Sequence, residues 1–267
     1  MNRGSYPFKL LAKGPFTHQQ VQVRWNGQPR QYSESVQAGI DDYWRREVEQ
    51  SAKSEYLFNG DLCRLANWQA SGQGLTLILE YTNYKELLYS NYVRDQRPNP
   101  AADGFVSAAL GISLILVSQD HQIVLIRRTE TVGESPGKLD VIGGHVEPYA
   151  HQVAGRPDPF RAMQAELAEE AHLSVDSHAD LLCLGLLVTT QTEKPELIFL
   201  LNSRTSLKEI LAASAAQPSP EIAELLSVED DQDTLHALLL AKKAAFSPSA
   251  LGALWLYKEM MEKLSER

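Results

Sequence analysis

The stretch from Gly143 to Leu173 constrains this chain more than any other. An apolar run, Leu139-Asp140-Val141-Ile142, is broken by Gly143-Gly144, and a proline-bearing loop then leads to Asp158-Pro159. Asp followed by Pro is a helix start: the carboxylate accepts from the free N–H groups of the first turn, and proline needs no partner there. Phe160, Met163, Leu167 and Ala171 recur at helical spacing, which predicts a helix with that face turned inward. Glu166, Glu169 and Glu170 fall together on a flank of about 100° at the edge of the apolar stripe. Such a trio is usually a solvated face, where each like-charge pair costs only ~0.2–0.5 kcal/mol. Beside a core the same carboxylates lose their water, and each unpaired charge becomes costly. An all-oxygen cluster in that position suits a hard cation, Mg²⁺ or Mn²⁺.

Composition narrows the function classes. The net charge of −9 argues against a nucleic-acid or anionic-membrane binder, although a bound cation would still admit a small anionic substrate. Cys63 and Cys183 are too few and too far apart for a disulfide framework or a zinc site. The first residues lack the apolar core of a signal peptide, and the longest apolar runs, such as Leu181 to Val188, are too short to cross a bilayer. A cytoplasmic protein is expected, with no membrane or nucleic-acid partner; nothing indicates its oligomeric state.

Along the chain, Val21 to Trp25 reads as a strand ended by a tight turn at Asn26-Gly27. Val36, Ile40, Trp44 and Val48 predict a helix from Ser35 to about Lys53, with Trp44 in the core. Leu62 to Trp68 and Leu75 to Tyr81 predict a hairpin, and Tyr84 to Tyr92 a short helix. The segment from Arg97 to Gly104, with two prolines and a glycine, is the best linker. A boundary at about residue 100 would give a small N-terminal α+β domain, 1–100, and a second domain, 101–267. Ala109 to Ser118 and Gln122 to Arg128 are strongly apolar strands, which predicts a mixed sheet covered on both faces. Further strands are expected at Leu181 to Thr189, Glu196 to Leu201 and near Leu225 to Glu229. Helices are expected at Leu207 to Ala216, Gln232 to Lys242 and after Ser247-Pro248.

The strand, Gly-Gly turn, loop and acidic helix resemble the Nudix hydrolase box, Gly-x5-Glu-x7-Arg-Glu-apolar-x-Glu-Glu-x-Gly-apolar. Glu166 to Leu173 matches its helical half, with Ala165 in place of Arg and His172 in place of Gly; the expanded loop displaces the earlier Glu. Those departures are shared by the animal UDP-glucose diphosphatase branch of the superfamily. The likeness to that branch runs on through Ala38 to Trp44, Tyr81 to Leu88 with Asn91, Arg127-Arg128, Ser135-Pro136-Gly137, Gly143-Gly144-His145, Leu184-Gly185, Glu196 and Ser247 to Ala250.

The resemblance implies an α/β/α sandwich and a metal-dependent hydrolase that splits UDP-glucose or UDP-galactose into UMP and a sugar 1-phosphate. Glu166, Glu169 and Glu170 would hold the metal with a carbonyl of Gly143 or Gly144. Glu169 or Glu196 would take the proton of the attacking water, with Glu193 as the alternative fourth acid. Lys138 and one of Arg127 and Arg128 would neutralise the diphosphate, since adjacent strand residues face opposite ways. Tyr84 and Asn91 are candidates for the uracil or ribose, although packing explains a tyrosine equally well. His145 and His151 are poorer ligands for a hard cation, and His172 is expected to cap or pack. The box lacks its arginine, so another donor must orient the glutamates. Another diphosphate substrate (ADP-ribose, NADH or a dinucleoside polyphosphate) and a non-catalytic nucleotide-sugar sensor remain open.

Overall fold

The computed structural model describes residues 6–96, 105–174 and 180–265. In chain order the elements are β1 (Phe8–Phe16), β2 (Val21–Asn26), α1 (Glu34–Trp44), β3 (Asp61–Ser71), β4 (Gly74–Asn83) and α2 (Tyr84–Gln96). They continue with β5 (Gly111–Val117), β6 (Gln122–Arg128), β7 (Leu139–Asp140), β8 (Ile142–His145), β9 (Gln152–Val153), β10 (Arg156–Pro157) and α3 (Pro159–Glu170). The chain closes with β11 (Leu181–Thr189), β12 (Pro195–Asn202), α4 (Leu207–Ala216), β13 (Ile222–Glu229), α5 (Gln232–Ala241) and α6 (Pro248–Ser265).

The apolar strands build one mixed sheet, ordered β1-β11-β12-β5-β6-β13, to which β7 and β8 add by pairing with β6 and β5. Among the described residues only β12 and β5 run parallel within it. Alternation along the strands divides the core in two. Leu114, Leu116, Val124, Ile126, Leu197 and Phe199 face α3, where Phe160, Met163 and Leu167 meet them. Ile115, Val117, Ile123, Leu125, Ile198 and Leu200 face α5 and α6 through Leu235, Leu239, Leu251 and Leu254. Strands buried on both sides read as continuous apolar runs, as expected of a sheet sandwiched between helices. Among the described residues no helix is long and apolar enough to cross a membrane.

Between Val21 and Asn83 a second sheet forms, β2-β4-β3. Residue 100, where the boundary was expected, lies outside the described residues. Packing is continuous on either side of it. β1 pairs with β11, and Cys63, Leu77 and Leu79 share one core with Ile112 and Phe160. The turn expected at Asn26-Gly27 does not make a hairpin: β2 runs parallel to β4, and Gly27 is not in the left-handed region. Asn-Gly permits a tight reversal but cannot require one when no strand follows within reach. The helix expected from Ser35 to Lys53 is α1, continued by one wider turn at Arg45–Glu49, with Trp44 packed on Val48 and Leu88.

Two helix termini place the site. Asp158 Oδ1 accepts from the amides of Phe160 and Arg161, at 2.8 and 3.3 Å, and starts α3 where its sequence says it should. At the other end the Leu173 amide reaches back to the Leu167 carbonyl, and His172 takes the left-handed conformation usual for glycine. His172 Nε2 donates to the Gln217 carbonyl at 2.6 Å, a contact that secures this ending without glycine. Ser247 caps α6 and also donates to Asp140 Oδ1 at 2.9 Å, tying that helix to β7.

Candidate active site

The two glycines between β8 and the loop do different work. A Cβ on Gly143 would lie 2.3 Å from the Ile112 carbonyl, so only glycine lets β8 approach β5 this closely. A Cβ on Gly144 would lie 1.9 Å from Glu166 Oε1: the carboxylate rests where a side chain would otherwise stand. Glu170, buried on the same helix, accepts from the Gly143 amide at 3.0 Å. Strand end and helix flank are thereby joined through the acids themselves.

These acids lack sufficient counter-charge. Burial, and then the charges of Glu169, Glu221 and Glu147, push the Glu166 carboxyl up to about 8. Burial and Glu166 push Glu170 well above the carboxylate range, against the Gly143 amide and Arg128. Glu147 is raised by burial and then by Glu169 and Asp61. Glu169 is exposed at the cleft. Crowded carboxylates that repel one another in a half-dry cleft are the donor set a hard divalent cation would relieve, so the residues present fit such an ion. Among the described residues, however, no three acidic, imidazole or thiol groups already converge on one point. Glu170 is held by Gly143, and Glu169 stands towards solvent.

The acids open onto a cleft of about 1230 Å³ between the two sheets' ends and α2. Arg128 enters it, with Nη1 3.9 Å from Asp140 and Nη2 3.4 Å from Glu221, while its Nε donates to the Glu134 carbonyl at 3.1 Å. Its charge also acts on Glu170. Arg127 does not enter the cleft. It pairs with Glu224 at 3.3 Å on the surface because one step along β6 reverses the side chain. Lys138 lies exposed at the cleft edge with its Nζ donating to the Ala244 carbonyl at 2.8 Å. Tyr84 lines the cleft edge-on to His145 at 6.4 Å between ring centres.

A second polar cluster forms the floor. Glu196, 2% exposed, accepts from Ser113 Oγ at 2.7 Å and lies 3.6 Å from Lys194 Nζ. Burial raises its carboxyl to about 6, against the pull of Lys194 and Ser113. Lys194 also donates to Glu134 at 2.9 Å, and Asn91 Nδ2 donates to the other oxygen of Glu134 at 3.0 Å. Burial pushes Glu134 up, but Lys194 and His145 outweigh it and hold that carboxyl well below its usual range. Burial and Lys194 both push the His145 imidazole down, so Lys194 is the cation of the group. Glu193 is drawn out of the cleft to Arg94, at 2.8 Å, and of the two candidate fourth acids only Glu196 lines the cleft. His151 turns its Nδ1 to the Glu147 amide at 3.2 Å instead of entering the site.

Glu134, Lys194, Ser113, Asp140 and Glu147 were not singled out from the sequence. Glu134 sits in a Gly/Pro loop, and only contacts distant in the chain give it a role. The run Glu193-Lys194-Pro195-Glu196 carried a signal, since three charges open a strand that is otherwise apolar.

No family model matches the chain. Curated relatives from mouse and human carry the name uridine diphosphate glucose pyrophosphatase NUDT22. The mouse protein is 27% identical over 206 residues, covering 68% of this chain and 67% of its own length. The human protein is 26% identical over 219 residues, covering 73% and 72%. Among solved structures, a MutT protein from Methanosarcina mazei Go1 aligns at 15% identity and a TM-score of 0.40, over 59% of this chain and 95% of its own. The strand, paired glycines and acidic helix keep the arrangement of the Nudix box that the sequence resembles, and the mouse and human relatives are what the chain is similar to.

Proposed function

We propose that the protein hydrolyses the diphosphate of a nucleotide sugar, UDP-glucose or UDP-galactose, releasing UMP and a sugar 1-phosphate. One observation carries the reading: Glu166 and Glu170 are forced together at Gly143-Gly144 beside Glu169 and Glu147, facing a cleft that also holds Arg128. The names of the mouse and human relatives support the substrate.

Mg²⁺ or Mn²⁺, held by Glu166, Glu169, Glu170 and the Gly144 carbonyl, would neutralise the diphosphate and polarise its phosphorus–oxygen bonds. Arg128 and Lys138, which line the same cleft, bind the remaining phosphate oxygens. The Gly143 amide, donating to Glu170 at 3.0 Å, does part of the orienting that the absent box arginine would do. Glu169 or Glu196 takes the proton of the attacking water. Glu169 has the access, while Glu196, raised to about 6, has an affinity near that of a working base. Tyr84 offers an aromatic face to the nucleoside, and the N-terminal sheet with α2 closes that side.

The test identifies the nucleotide product from a panel of UDP-glucose, UDP-galactose, ADP-ribose, NADH and a dinucleoside polyphosphate across a Mg²⁺ titration. UMP from the UDP-sugars, dependent on Mg²⁺, is the expected result. Preferred cleavage of another member reassigns the substrate. Tight UDP-sugar binding with no product at any Mg²⁺ concentration makes the protein a sensor.

A further inference from the structure

Native proteins leave few buried polar atoms unpaired, and an unpaired group marks a place where something binds. Three such atoms occur together on the cleft floor: Asn91 Oδ1, His145 Nε2 and Glu196 Oε2. Short steps link them. Asn91 reaches Glu134 at 3.0 Å, Lys194 lies 2.9 Å from Glu134 and 3.6 Å from Glu196, and His145 Nε2 is 3.3 Å from Glu134 but out of line for a hydrogen bond. A Cβ on Gly111 would lie 2.1 Å from Glu196 Oε2, so backbone closes the chamber behind that oxygen.

The atoms select their ligand. Asn91 Oδ1 and Glu196 Oε2 can only accept, so the missing group must donate. Phosphate oxygens are acceptors and would face Glu134 and Glu196. A second cation at Glu196 would meet the Lys194 ammonium already beside it. A neutral group with several O–H donors meets every requirement. A ring bearing adjacent hydroxyls is such a group.

We propose that this chamber receives the hydroxyl-bearing face of a sugar ring of the substrate, with Asn91 Oδ1 and Glu196 Oε2 accepting from neighbouring hydroxyls. Lys194 positions Glu196 for this contact. The inference rests on the nucleotide-sugar reading and deepens it: of the uracil or ribose expected at Asn91 it keeps only a sugar, and proton abstraction falls to Glu169. Either the hexose or the ribose could supply the hydroxyls.

The experiment measures dissociation constants of UDP-glucose, UDP methyl ester and 2′-deoxy-UDP-glucose by calorimetry, with Ca²⁺ replacing Mg²⁺. The wild type should bind at least one truncated ligand about tenfold more weakly than UDP-glucose. Asn91→Ala should bring that same ratio close to one. A lost methyl-ester penalty assigns the hexose, and a lost deoxy penalty the ribose. Asn91→Ser serves as a second variant should the alanine protein fold poorly. Ratios unchanged from the wild type, or no penalty for either truncation in the wild type, overturn the proposal. Turnover in Mg²⁺ is read on the same preparations: failure to cleave any UDP-sugar refutes the hydrolase reading, whereas altered turnover with unaltered ratios refutes only the sugar chamber.

Discussion

Replacing Glu166 by Gln should stabilise the metal-free protein at alkaline pH. The Glu166 carboxyl stands at about 8 in the fold against an ordinary 4.5. A raised acid lets the folded state hold a proton that the unfolded chain has lost. Stability is therefore fully present below the unfolded value and falls as pH climbs towards 8. The full shift would correspond to about 5 kcal/mol. Glu169, Glu147 and Glu170 share the strain, and water reaches part of the cleft, so roughly 2 kcal/mol is expected to survive. For a chain of this size that is a rise in melting temperature of about 4–8 °C. The assay is thermal unfolding in EDTA at pH 5 and pH 8. The variant should match the wild type at pH 5 and exceed it at pH 8. Mg²⁺ added at pH 8 should then raise the wild type more than the variant. A variant less stable than the wild type at pH 8 in EDTA would mean that Glu166 is already compensated by the protein, and the argument for a cation would fail.

The other predictions concern neighbouring parts of the site. Glu169→Gln should lower turnover by about 10²–10⁴-fold with an unchanged melting temperature, because the residue is exposed; retained Mg²⁺-dependent turnover would remove it as the base. Gly144→Ala should fold, since the obstructing atom ends a flexible side chain, but lose Mg²⁺-dependent stabilisation as Glu166 is pushed aside. Gly143→Ala meets the Ile112 backbone instead and should cost about 1–3 kcal/mol of stability in chemical denaturation. Lys194→Met leaves Glu134 and Glu196 buried without their cation, a loss of about 3–5 kcal/mol. Adding Glu134→Gln to that variant should recover part of the loss.

The chain's periodicities determined much of this protein. The apolar runs of β5, β6, β11 and β12 require a sheet covered on both faces, and Asp158-Pro159 starts α3 through contacts only two or three residues away. The i, i+3, i+4 spacing of Glu166, Glu169 and Glu170 puts three acids on one flank before any tertiary contact exists. Gly143 and Gly144 were visible as a break, and their separate tasks were not. Those depend on Ile112 and Glu166, which are distant in the chain. The same holds for Arg127 and Arg128: strand alternation said that only one would enter the cleft, and packing against Glu224 and Asp140 chose which. Asn91 and Glu196 on the cleft floor were named from the resemblance, whereas Glu134 and Lys194 were not, and how the four meet belongs to the fold. The four come from a helix, a loop, a turn and a strand, and Glu134 and Lys194 become informative only when burial removes their water and leaves their neighbours as partners. Local spacing decides what one element presents, whereas desolvation and counter-charge are properties of the assembled molecule.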